Sequence, residues 1–327
     1  MSVLQSYLPR DITIAFVVAG FAVFAVASGF VITRLRPVWL ARLTAWAMVL
    51  GVLVAVERLT AAEGAGLRML ALISVGLMAM KATVSVETVA AGGGALPFFR
   101  WLAFTFGWFG MQPRVFAKRA DKPLAGVAPL IRFASWRIVL GACLMGLAWF
   151  AFRRTGSAVL ATALALPGVS LILHFGVLNL AAAWWRMVGF DCKPLFREPL
   201  RSQSLAEFWG RRWNMAFSEM TSIAVYRPLS ARVGKLPATL VAFLMSGLLH
   251  EMAISLPVRA GFGLPLLYFF VHGALVLVER ELARRGRPVG GVWGRVWTIA
   301  WLVAPMPILF HPPFLRGVVW PLIGIDP

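Results

Sequence analysis

Long apolar runs separated by short basic segments set the pattern of this chain. Crossing the hydrocarbon core of a bilayer takes about 20 consecutive apolar residues in helical form. Eight stretches meet that need: 12–33, 38–56, 66–86, 132–152, 158–185, 237–258, 262–279 and 296–315. The fifth carries Pro167, which predicts a tilt or kink. Stretch 97–110, PFFRWLAFTFGWFG, is apolar and aromatic but too short to span, which predicts a re-entrant or interfacial helix. The expected fold class is therefore all-α: a polytopic membrane helical bundle of about eight transmembrane helices plus re-entrant or interfacial helices. With no internal repeat and no low-complexity tract, residues 1–327 read as a single integral-membrane domain.

Composition agrees with the pattern. Hydrophobic residues make up 60% of the 327 positions and charged residues 14%, which excludes a soluble domain. The formal charge of +19 does not signal nucleic acid, because the basic residues sit in short loops where they set topology and meet anionic headgroups. Cys143 and Cys192 lack metal-ligand spacing, so neither a disulfide nor a metal site is expected. At the N-terminus, Arg10 and Asp11 precede an apolar stretch too long for a signal-peptide core, so it reads as a retained first span. If the N-terminus is outside, cytoplasmic segments carry 24 of the 32 Lys and Arg residues, outer segments carry seven, and Lys81 stays within a span. This asymmetry predicts a multi-pass protein of a bacterial inner membrane or an endoplasmic-reticulum equivalent. Both termini would lie outside and segment 199–228 would be cytoplasmic.

Two polar segments interrupt the apolar background. The first, PLRSQSLAEFWGRRWNMAFSEMTSIAVYRP, covers 199–228. Ser204-Leu-Ala-Glu207 has the form of a capping box, in which the Ser204 hydroxyl accepts from a backbone N–H and Glu207 reaches back. A helix starting there sets Glu207 and Arg211 one turn apart as an ion pair and aligns Trp209 with Trp213 as an aromatic stripe. An interfacial amphipathic helix accounts for the Trp and Arg residues but leaves the Asn214 amide unexplained. The second segment is FLMSGLLHEMA, 243–253, where Ser246, His250 and Ala253 share a helix face and Gly247 gives a neighbour close access. His250 lies about 20 Å along its span at 1.5 Å per residue, and ionisable groups at such depth are functional candidates by default. Either it is a buried structural histidine or it is a general base able to take a proton near neutral pH.

The remaining polar groups in apolar runs carry weaker signals. His174 and His272, both mid-span, suit structural hydrogen bonding, although either could line the same cavity as His250. His311, before Pro312 and Pro313, is expected at the outer interface. Lys81 is expected to snorkel, with Glu87 as a partner. Glu251, about 100° around the helix from His250, is expected to pair with an Arg or Lys. There is no G-x-S-x-G elbow, H-E-x-x-H site, P-loop or H-x4-D pair.

The proline-led S-x-S-L-x-E-F-W-G-R-R-W-N block, the V-Y-x-P after it and F-L-x-S-G-L-x-H-E on the next span resemble the wax-synthase branch of the membrane-bound O-acyltransferases. The resemblance is close over 199–251. It implies transfer of an acyl group from acyl-CoA to the hydroxyl of a lipophilic alcohol, as in wax or steryl ester synthesis. His250 takes the family's catalytic histidine position and Asn214 its second polar position, where plant members of the branch often have His. His250 would be the general base, and Asn214 the oxyanion donor or the group that orients the imidazole. Trp209, Arg211, Arg212, Trp213, Ser246 and Arg227 are the substrate-binding candidates, the arginines meeting CoA phosphates or lipid headgroups. No cofactor is implied; acyl-CoA is a co-substrate, and the other partners are the alcohol and membrane lipids. Two further readings stand beside it: a lipid or solute transporter whose path His250 and Asn214 line, and acylation of a specialised hydroxylated metabolite or glycan. A transporter often shows two similar halves, and this chain shows none.

The charge asymmetry makes a topological prediction. A cysteine placed in the 280–295 loop should react with an impermeant maleimide only after the inner face is opened, while one at the C-terminus should react from outside. Labelling of both from one side would mean that a span has been miscounted.

Overall fold

Helices form where the apolar runs fall, because a backbone in hydrocarbon has no water to satisfy its polar groups and must pair them within the segment. The computed structural model describes residues 3–325; the terminal residues, expected on the outer side, lie outside that range. Among the described residues there is no strand. Seven helices are long and apolar enough to cross a membrane: Gln5–Ile32, Val38–Leu59, Ala65–Ala90, Val127–Thr155, Ala158–Val188, Lys235–Val258 and Gly291–Leu309. The expected span 262–279 falls in helix Leu264–Arg284, which is 21 residues long but ends in Glu279, Arg280, Glu281 and Arg284. It is long enough to cross but less uniformly apolar than the seven. The last span starts and stops earlier than the expected 296–315, since Phe310 leaves the helix and a separate short turn occupies Pro312–Phe314.

The chain divides into two compact units, residues 1–194 with 315–327, and residues 195–314. In the first unit, stretch 97–110 contains the short helix Phe98–Gly107, as expected from its length. Trp101 is buried and donates its indole N–H to the Val26 carbonyl at 2.9 Å. Pro167 stands inside the long Ala158–Val188 helix, which passes four residues later into a π-helical stretch at Leu171–Val177. His174 lies in this stretch with Nδ1 3.0 Å from the Ser170 hydroxyl.

Lys81 does not snorkel. It is 1% exposed, and its ammonium donates to the carbonyls of Phe104, Trp108 and Gly110 at 3.1, 2.8 and 2.5 Å. The Phe104 ring lies 3.9 Å from Nζ, which adds a cation–π contact. The helix Phe98–Gly107 ends there and leaves carbonyls that its own backbone cannot satisfy, so an ammonium with three donors fits them. Glu87, the partner expected for Lys81, is held instead by Arg42 through two bonds of 2.7 and 2.8 Å.

The second unit contains helices Met215–Thr221, Lys235–Val258, Leu264–Arg284 and Gly291–Leu309. The second and third approach closely through glycines, as expected of Gly247. A Cβ there would meet Leu266 Cδ1 at 2.8 Å, and one on Gly273 would meet Phe243 Cβ at 2.9 Å.

Replacing Lys81 with Met keeps the length and removes the donors, leaving buried carbonyls that cost about 1–3 kcal/mol each when unpaired. Lys81→Met should therefore lower the thermal unfolding midpoint of the detergent-solubilised protein clearly. An unchanged midpoint would show that the three bonds contribute nothing net.

Candidate functional site

The 199–214 segment folds around its caps. The Ser204 hydroxyl accepts from the Glu207 N–H at 3.0 Å, as the capping box requires. Glu207 does reach back, but to the N–H of Gln203 at 2.8 Å. The following turn, Phe208–Arg212, is π-helical, and the wider spacing changes the pairing expected from an α-helix. Glu207 meets Arg212 at 2.7 Å, five residues on, instead of Arg211. Arg212 also donates to the carbonyls of Arg197 and Glu198 at 3.4 Å each. Arg211 and Arg227 are exposed.

The expected Trp209–Trp213 stripe is not formed, because the helical turn ends at Arg212 and Trp213 is extended at φ −103°, ψ 129°. Trp213 stacks on Phe208 at 5.4 Å and meets Phe196 edge-on at 4.8 Å. Trp209 turns instead toward Phe269, His272 and Phe243, with ring centroids at 5.2, 5.5 and 6.4 Å. Asn214 then takes left-handed backbone angles, φ 44° and ψ 64°, which Asn tolerates better than most residues. It is the N-cap of Met215–Thr221, and its Oδ1 accepts from the Phe217 N–H at 3.4 Å.

His250 ends the α-helical part of its span, and a π-helical turn, Glu251–Ser255, follows at once. Its Nδ1 lies 2.7 Å from the Ser246 carbonyl. A carbonyl only accepts, so Nδ1 carries the proton and the neutral imidazole keeps its lone pair on Nε2. The ring sits between Phe217 at 5.2 Å and Phe269 at 4.2 Å. Asn214 and His250 are thus linked through Phe217, whose amide is capped by one and whose ring packs on the other. Of Ser246, the bond to the imidazole uses the backbone carbonyl.

The neighbouring ionisable groups are committed elsewhere. His272 is fully buried and its Nε2 donates to the Trp301 carbonyl at 3.0 Å. That carbonyl would normally accept from the residue four positions on, which is Pro305 and has no N–H. His311 is buried, 1% exposed. Its Nδ1 accepts from the Phe314 N–H at 3.3 Å, which puts the proton on Nε2, 3.3 Å from the Ser255 hydroxyl. This tautomer is the reverse of that at His250 and suits a structural lock, tightened by Gly261 at φ +75° directly under the ring. Among the described residues Glu251 pairs with no Arg or Lys. Its Oε1 accepts from the N–H of Leu266 at 3.0 Å, one of the orphan amides in the first turn of Leu264–Arg284.

Two contributors escaped the sequence reading. Phe217 stands three residues after Asn214, the spacing of an N-cap and the amide it serves, and could have been found from it. Phe269 lies in an apolar run where one phenylalanine looks like any other.

Residues 192–271 match the model of the membrane bound O-acyl transferase family. The match covers about a quarter of the chain. Asn214, Phe217, His250 and Phe269 all fall within it. Over 144 residues the chain is 32% identical to "Probable long-chain-alcohol O-fatty-acyltransferase 9" of Arabidopsis thaliana, covering 40% of this chain and 42% of that protein. It is 37% identical over 101 residues to the "Long-chain-alcohol O-fatty-acyltransferase" of Simmondsia chinensis, covering 28% and 29% of the two chains. To "Acyl-CoA--sterol O-acyltransferase 1" of Arabidopsis thaliana it is 27% identical over 150 residues, covering 42% and 43%. The matches thus span less than half the length of these curated relatives.

The Glu207 carboxyl is held below its ordinary value of 4.5, first by the Gln203 amide and then by Arg212 and Arg211. A carboxylate with a lowered folded pKa stabilises the fold above its unfolded pKa, and that contribution is lost as pH falls through the folded value. The unfolding midpoint of wild type should therefore exceed that of Glu207→Gln at neutral pH, with the gap closing toward strongly acidic pH. A gap independent of pH would show that the ionised form is not what stabilises the turn.

Proposed function

We propose that this chain is a membrane O-acyltransferase that transfers an acyl group from acyl-CoA to the hydroxyl of a lipophilic alcohol, forming wax- or steryl-ester-type products. One observation carries the reading: His250, inside the segment matched to the family, has Nδ1 tied to a carbonyl and Nε2 left as a base. In this mechanism Nε2 takes the alcohol proton as the alcohol oxygen attacks the thioester carbonyl. Asn214 uses Oδ1 to cap its helix, so its side-chain NH2 is the group available to donate to the developing oxyanion. Collapse breaks the carbon–sulfur bond, and the imidazolium returns the proton to the CoA thiolate. Transfer is direct, with no acyl-enzyme.

Arg211 and Arg227 are exposed and suit the CoA phosphates, while Arg212 is engaged in holding the turn. Trp209, Trp213 and Ser246 complete the substrate-binding set, with Trp209 continuous with the rings beside His250. The whole chain acts as one acyltransferase domain, with 199–228 on the cytoplasmic side, where acyl-CoA is present.

The test is ester formation by the purified protein with acyl-CoA and a panel of long-chain alcohols and sterols, read by lipid mass spectrometry. His250→Ala should lose about 10²–10⁴-fold in turnover, the usual contribution of a general base, with extraction and folding unchanged. Turnover above about a tenth of wild type would remove His250 as the base. Asn214→Ala should also cripple turnover, by about 10²–10³-fold for a lost oxyanion donor, and Asn214→His should retain part of it. Absence of ester with every alcohol would count against acyl transfer and favour a transport role.

A further inference from the structure

We propose that Glu279, outside the segment matched to the family, is a positioning residue for acyl transfer: it fixes the entry of the Leu205–Asn214 segment to the helix that packs on His250. The inference rests on the acyl-transfer reading above. Glu279 lies near the end of helix Leu264–Arg284 and is 5% exposed. Its Oε1 accepts from the N–H of Leu205 at 2.7 Å and from the Trp297 indole N–H at 3.0 Å. Its Oε2 accepts from the N–H of Ala206 at 2.9 Å.

These two amides open a turn and have no partner in it, while Ser204 serves only the Glu207 amide. Three donors converging on one buried side chain call for a group that accepts through both oxygens, and a carboxylate does so. The same stretch is held from another side. Gly291 donates its N–H to the Gln203 side-chain oxygen at 3.0 Å, and a Cβ on Gly294 would lie 2.2 Å from the Gln203 carbonyl.

The helix that carries Glu279 also presents Phe269 to the His250 ring and His272 to the Trp209 ring. Ten residues of helix, about 15 Å, separate Phe269 from Glu279. One rigid element thus holds the partner of the base at one level and the start of the segment that ends at Asn214 at another. Between those holds the segment has two irregular steps, the π turn at Phe208–Arg212 and the left-handed Asn214. Its far end is held by the Arg197 N–H on the Arg212 carbonyl at 2.7 Å and the Met215 N–H on the Leu195 carbonyl at 2.8 Å, and Glu279 sets its near end, so the two holds together place Asn214. Misplacement of a catalytic group by about 1 Å can cost about 100-fold in rate.

Glu279→Gln is the informative variant, because it replaces one acceptor oxygen with an NH2 that cannot accept. We expect kcat to fall by about 10–100-fold with KM for acyl-CoA little changed. In an Asn214→Ala background the same change should cost less than about twofold, because the group it positions is gone. An equal loss in both backgrounds would overturn the proposal, since a residue that merely stabilises the fold acts additively. Hydrogen exchange of the purified variant gives a second readout that needs no turnover. Amides in 203–213 should exchange faster while those in 235–258 do not, and no change or a uniform rise would equally overturn it. If the wild type forms no ester, the acyl-transfer reading fails, and the exchange result alone decides whether Glu279 holds the segment.

Discussion

A backbone N–H or C=O buried in an apolar setting without a partner costs several kcal/mol, and that requirement accounts for four ionisable side chains inside this protein. Lys81 satisfies three carbonyls at the end of a short helix. Glu251 and Glu279 serve amides in first turns, and His272 serves the carbonyl that Pro305 leaves without a donor. In each case an ionisable side chain completes a helix end. His250 and His272 each have one ring nitrogen on a carbonyl and the other without a hydrogen bond among the described residues, but His272 is fully buried and His250 is not. The chemical candidate is thus identified by what its neighbours lack as much as by its own position.

The π-helical turns are the second organising feature. An extra residue per turn shifts every later side chain around the helix, and such turns recur at functional sites. At Phe208–Arg212 the shift moves the ion pair to Arg212 and sends Trp209 toward the rings around His250. At Glu251–Ser255 it begins directly after His250. A regular α-helix through either stretch would place different residues against the Leu264–Arg284 helix.

The spans were legible because hydrocarbon thickness dictates run length, and the ionisable groups at depth stood out because they are rare there. The Ser204 cap was legible from local spacing alone. The Glu207–Arg211 pair fails because it assumes 3.6 residues per turn where the chain has more, and the Trp209–Trp213 stripe because the helical turn ends at Arg212. For Lys81 and Glu251 the sequence points to charged partners, because charge is what a sequence displays. Their actual partners are backbone groups, which every residue carries and no sequence marks. Phe269 was invisible for a related reason: its importance comes from facing His250, not from its type.

The left-handed backbone at Asn214 has a consequence for how this position can drift. Asn, Asp and His enter that conformation more readily than other side chains, and β-branched residues are nearly excluded from it. An exchange of Asn for His is therefore easy for the main chain whatever the side chain does. A preference for those two residue types is compatible with a purely conformational demand, so residue identity alone is weak testimony for catalysis. Glycine separates the two demands, because it keeps the turn and deletes the amide.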